Sequence, residues 1–147
     1  MTATPDTATI ADRDEIRTVL SRYVRAIRTA DVDAMDEVFT ADSVIDYSAI
    51  GGPKAPWVEV KQWLAGAIAV DLFLLHVGDV YADFAPGGDR ADVETTWHGV
   101  FRASPTDEPL LIYGTYGDRF VRTERGWRIE SRVDRPAVQL TVPVVER

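Results

Sequence analysis

Between Asp12 and Ala30 the apolar side chains Ile16, Val19, Leu20, Tyr23, Val24, Ile27 and Ala30 recur every three or four positions, with charged residues between them. That spacing predicts an amphipathic helix with one buried stripe. Asp31 is suited to cap a second short helix over Val32–Phe39, since its carboxylate accepts from free amides of the first turn. A Thr-Ala-Asp turn and a strand over Val44–Tyr47 follow. After Gly51-Gly52-Pro53 and Pro56, a third helix is expected over Trp57–Val70, with Trp57, Val60, Leu64 and Ile68 inward. Beyond Val70 the helical period disappears. Four extended segments are predicted at Leu72–Phe84, Ala91–Ala103, Leu110–Arg122 and Trp127–Ala137, separated by Pro, Gly and Asp-rich turns. Helices first and long strands afterwards imply an α+β fold, three amino-terminal helices packed on a strongly curved antiparallel sheet that leaves a cone-shaped cavity.

Charge and composition narrow the chemistry. The formal net charge of -8 has the wrong sign for nucleic acid or an anionic membrane surface, so neither partner is expected. There is no cysteine, which leaves His, Tyr, Asp, Glu and Arg to carry any reaction. Two histidines without a carboxylate at ligand spacing make no recognisable metal set, and the Gly-Gly pairs lack a phosphate-loop pattern. No cofactor is expected. The amino end lacks a basic and apolar leader, and the longest apolar stretch, Ala65–Val70 with Leu72–Leu75, is far too short to span a bilayer. A cytoplasmic protein is therefore expected, with residues 1–9 a flexible arm and 10–147 one domain.

The run Arg22-Tyr23-Val24-Arg25-Ala26, Ala30-Asp31-Val32-Asp33, Phe39-Thr40-Ala41-Asp42 and Ile45-Asp46-Tyr47, with Tyr116-Gly117-Asp118 and Gly126-Trp127-Arg128-Ile129, resembles the nuclear transport factor 2-like superfamily. Its enzyme branches include ketosteroid isomerase, scytalone dehydratase and SnoaL-like polyketide cyclases. The resemblance spans about Ile10 to Pro136. It implies a homodimer and a cofactor-independent lyase, isomerase or cyclase acting on a polycyclic, polyketide-like or steroid-like molecule. Because the fold hosts many activities, a non-catalytic binding or assembly module and an epoxide hydrolase stand as alternatives. For the last, Arg132 and Asp134 supply part of an Asp-Arg-Asp set, with no complete set visible.

The residues divide as follows. His76 matches the catalytic histidine of the dehydratase branch and, flanked by Leu74, Leu75 and Val77, is expected to point into the cavity as the main acid/base group. Tyr23 matches the oxyanion-hole tyrosine of ketosteroid isomerase. Asp118 shares an apolar strand face with Ile112, Gly114, Tyr116 and Phe120, so burial would favour its neutral, hydrogen-bond-donating form, and it matches the protonated aspartic acid of ketosteroid isomerase; pairing with Arg119 or Arg128 is the competing reading. Trp97, Tyr116, Tyr47 and Trp63 are expected as walls, and His98 on the wet side with Asp92 and Glu94. Two departures stand out: Arg28 occupies the place of the histidine's partner aspartate, and Tyr47 that of the isomerase base. Asp46 is the substitute base if the strand register differs by one, and Arg28 is a candidate to bind a substrate carboxylate or enolate.

Overall fold

The computed structural model describes residues 7–143 and 145. Helix α1 (Thr7–Arg28) is followed by a 3-10 segment (Val32–Glu37), strand β1 (Phe39–Asp46), a 3-10 turn (Ser48–Ile50), β2 (Lys54–Pro56), helix α2 (Trp57–Ile68), and the long strands β3 (Leu72–Phe84), β4 (Arg90–Arg102), β5 (Leu110–Thr123) and β6 (Gly126–Thr141). The stripe on α1 is buried as its period requires, with Ile16, Val19, Leu20, Tyr23 and Ile27 at most 3% exposed. Asp31 accepts from the Ala34 amide at 3.2 Å.

Four expectations need correction. The segment that Asp31 caps is a 3-10 turn and not a full helix, so two α-helices, not three, pack on the sheet. β1 starts at Phe39, and the turn expected at residues 40–42 is strand. The ladder from Phe39↔Ile129 to Val44↔Ser131 is irregular there, and a bulged strand of Thr, Ala, Asp and Ser imitates a turn in sequence. Of the arm expected over 1–9, residues 7–9 are helix, since α1 already begins at Thr7; residues 1–6 lie outside the described residues. Finally, the sheet is not an all-antiparallel meander. Its six strands run in the order β2-β1-β6-β5-β4-β3, and β1 lies parallel to β6.

The sheet's inner face meets α1 and α2, and its register positions the site. Two rows cross it: Ile45, Arg132, Asp118 and Val93 are successive partners, as are Asp134, Tyr116 and Thr95. Two bulges set the phase. In β3 the residues Phe73, Leu75 and Val77 face inward, and after the irregularity between Val77 and Val80 the inward set becomes Val80, Ala82 and Phe84. In β6, Trp127 and Ile129 face the core, an irregularity opposite Arg119/Phe120 follows, and Arg132 and Asp134 then face inward.

Candidate functional site

Between α1, α2 and the sheet lies a cavity of about 410 Å³, within the ~300–1,000 Å³ range of small-molecule pockets. Most of its wall is aliphatic or aromatic, including Ile27, Leu64, Phe73 and Ile112. Glycines make room at two points. A Cβ on Gly114 would stand 2.9 Å from the Trp97 ring and 2.7 Å from the Arg135 carbonyl, and one on Gly52 would meet the Trp63 ring at 2.8 Å. Both aromatic walls therefore rest directly on backbone.

Polar groups gather where α1 crosses β5 and β6. The Tyr23 and Tyr47 hydroxyls lie 2.8 Å apart. Tyr23 meets Tyr116 edge-on at 5.9 Å between ring centres, and Tyr116 stacks on Trp97 at 5.5 Å. Burial holds the three phenols well above their ordinary pKa, so each remains a protonated donor at neutral pH. Asp134, registered with Tyr116, is 3% exposed and lines the cavity. It accepts a hydrogen bond from Trp97 Nε1 at 3.1 Å. Burial raises its carboxyl to about 7, against the opposing pull of Arg132 and Trp97. A carboxyl that titrates near neutrality in an apolar cavity can both take and return a proton.

One row behind, Arg132 grips Asp118 with both arms of its fork, Nε to Oδ1 at 2.7 Å and Nη2 to Oδ2 at 2.9 Å, with both side chains fully buried. The guanidinium carbon lies 3.9 Å from the centre of the Tyr116 ring and 4.4 Å from that of Tyr23, a cation between aromatic faces.

The expected site residues separate accordingly. Tyr23, Tyr47, Trp63, Trp97 and Tyr116 all line the cavity. Asp118 is buried as expected but is ion-paired, so the neutral-donor reading gives way to a carboxylate committed to Arg132; neither Arg119 nor Arg128 is its partner. His76 is on the wrong side. It projects from the outer face, stacked on His98 at 5.0 Å between ring centres, because Leu75 and Val77 take the inward positions beside it. His98 is on that outer face as expected. Arg28 is exposed beside His76 in a surface groove with Ser21 and Val24, away from the cavity. Asp46 also faces away and accepts from the Ser48 amide and hydroxyl; the register does not slip in its favour. The residue that sequence reasoning passed over as a base is Asp134, whose phase depends on the β6 bulge. Asp118, Arg132 and Asp134 do become neighbours, yet Arg132 gives its fork to Asp118 while Asp134 holds Trp97, so no Asp-Arg-Asp bridge forms.

A SnoaL-like domain model matches residues 8–133. The chain belongs to the SnoaL-like family. An uncharacterized protein of Mycobacterium tuberculosis is 33% identical over 132 residues, 90% of either chain. Among solved structures, a scytalone dehydratase-like protein of Novosphingobium aromaticivorans superposes with a TM-score of 0.81 at 17% identity, over 93% of this chain and 91% of that one. The hexachlorocyclohexane dehydrochlorinase LinA-type3 of Novosphingobium barchaimii does so at 0.80 and 14% identity, over 97% and 98%. A nuclear transport factor 2-like superfamily protein of Salmonella enterica superposes at 0.77 and 18% identity, over 88% and 94%, so the SnoaL-like domain has the nuclear transport factor 2-like fold. Among the described residues no helix is long and apolar enough to cross a membrane, and no group of three or more His, Cys, Asp or Glu is placed to hold a metal ion.

Proposed function

We propose that this SnoaL-like protein is an acid-base catalyst of the lyase, isomerase or cyclase type, moving a proton on a compact, largely apolar cyclic molecule with its own side chains. The carrying observation is Asp134: a buried carboxyl raised to about 7 in an apolar cavity beside a hydrogen-bonded phenol pair. Ionised Asp134 removes a proton from a carbon next to a carbonyl. The C–H electron pair moves into the enolate, and a phenol of the Tyr23–Tyr47 pair donates to its oxygen. The neutral Asp134 then returns the proton to another carbon, which completes an isomerisation, or to a departing oxygen, which completes an elimination. Donors fixed in a dry site are commonly the largest catalytic term. The dehydratase and dehydrochlorinase names of the two structural neighbours both denote eliminations, which supports the same class. The test is a screen of cyclic ketones, enols and β-hydroxy ketones for exchange or turnover, repeated with Asp134→Asn. A fall in turnover of about 10²–10⁴ is expected in the variant; unchanged turnover sinks the assignment.

The homodimer expectation becomes a more specific proposal. Leu74, Val100, Leu111 and Leu140 form one row across the outer face of β3–β6, and His76, His98, Tyr113 and Val138 the next. Leu74, Tyr113, Val138 and Leu140 are 40–51% exposed, a contiguous apolar patch of the kind that marks association. We propose a second copy of the chain as its cover, with light scattering at micromolar concentration as the check.

A further inference from the structure

Arg132 has a part in the site that its ion pair with Asp118 does not account for. Nε and Nη2 are both spent on the carboxylate, whereas Nη1 is buried without a hydrogen-bond partner. A buried N–H left unpaired is costly, so natural folds rarely keep one without a use. The side chain is too tightly held to have strayed there. Asp118 fixes two of its nitrogens, the Tyr116 and Tyr23 rings cover it at 3.9 and 4.4 Å, and Phe39 stands at 5.5 Å. Arg132 is registered with Ile45, and Tyr47 follows Ile45 by two residues, turned inward on the same side of the sheet.

We propose that Arg132 is a positioning residue that gives the phenol pair its direction: a small turn of the Tyr47 hydroxyl lets it accept from the free Nη1, Tyr47 donates to Tyr23, and Tyr23 is left to present its hydrogen to a ligand oxygen in the cavity. A guanidinium nitrogen can only donate, so a phenol oxygen that faces it must accept. The hydrogen of Tyr47 is then free to lie along the 2.8 Å contact with Tyr23, and the hydrogen of Tyr23 has no place in that contact. Burial dominates both phenols and raises them, and Arg132 pulls each back down, Tyr47 through hydrogen bonding as well as charge, so the guanidinium acts on the Tyr47 oxygen directly. Asp118 belongs to the same device, since it keeps the fork oriented and the buried charge compensated. Nothing here requires Arg132 to touch the ligand; it acts through Tyr47.

This assignment rests on the catalytic reading of the cavity, and its test separates the two. The pair Arg132→Gln with Asp118→Asn removes both charges and leaves two amides able to bond each other, whereas Arg132→Lys keeps the charge but not the fork. With the tyrosines labelled at 13Cζ, both variants are expected to shift the Tyr47 resonance most and Tyr23 less, with Tyr81 and Tyr113 unmoved. Binding of 4-nitrophenol, followed by Trp63 and Trp97 fluorescence, is expected to weaken about tenfold or more in Tyr23→Phe. Tyr47→Phe should cost about two- to fivefold, about half a tenfold step in free energy, and nothing further once the Arg132 charge has been removed. A Tyr47 resonance that stays in place in both variants, or a Tyr47→Phe loss as large as that of Tyr23→Phe, overturns the proposal. Failure of 4-nitrophenol to bind the native protein counts against the catalytic reading alone, and the relay is then decided by the Tyr47 resonance.

Discussion

Both faces of the β3–β6 sheet carry titratable groups in the middle of apolar rows, and the two sets behave differently. On the inner face Asp118, Arg132 and Asp134 are 4% exposed or less. Each meets a specific partner there, and Asp134 is driven up to about 7 by burial. On the outer face His76 and His98 stack on one another and on Tyr113 with open solvent beside them. The lesson concerns environment before residue type. Histidine is the usual acid/base group at neutral pH, yet here an aspartate takes that position because the cavity removes its hydration, while the histidines sit on the face that the helices do not cover.

The comparison is tested most severely at Asp134. Loss of a general acid/base costs about 10²–10⁴ in rate, so Asp134→Asn should lower kcat by that much. In the native protein the rate should follow one ionisation with a midpoint near 7. A pH-rate profile flat from 5 to 9 breaks the contrast between the faces.

Next comes the inner ion pair. Removing one partner of a buried pair strands the other, which costs about 3–5 kcal/mol. Asp118→Ala should lower the urea midpoint accordingly, and a loss under about 1 kcal/mol would mean that Arg132 escapes to water.

Asp134 also predicts a pH-dependent stability. Its folded carboxyl protonates near 7 and its unfolded one at the ordinary 3.8, so between those values the folded state binds more protons and this group's contribution falls as pH rises. Asp134→Asn removes that penalty. The variant should be more stable than the native protein by about 4 kcal/mol at pH 8, and the gap should close toward pH 4. A gap of equal size at both pH values would show that the burial penalty is absent.

The smallest effects belong to the outer face. Leu140→Glu should leave the fold within about 0.5 kcal/mol of native while converting a dimer to a monomer by light scattering. His76→Ala should change neither turnover nor stability measurably beyond about 0.5 kcal/mol; a hundredfold loss of turnover would return the site to the histidine.

The amphipathic α1, the inward stripe of α2, β3 over Leu72–Phe84 and the aromatic walls of the cavity were all legible in the amino-acid pattern, because each follows from a local period of 3.6 or 2. Tyr23, Tyr47, Trp97 and Tyr116 followed from those periods and from family resemblance. The base did not. In β3 the run Phe73-Leu74-Leu75-His76-Val77 is apolar on both faces, so alternation carries no sign there and the side chosen for His76 was unconstrained. In β6 the alternation that buries Trp127 and Ile129 would, continued unbroken, turn Arg132 and Asp134 outward; one irregularity in the ladder reverses it. A bulge adds a residue to one strand against its partner, and only pairing with β5 settles where that residue goes. Local sequence thus determined which segments are helix and strand and which aromatics form a core. The assembled sheet decided which face each charged residue occupies, and with it which carboxyl is dry enough to titrate near neutrality, since desolvation depends on neighbours that other strands supply.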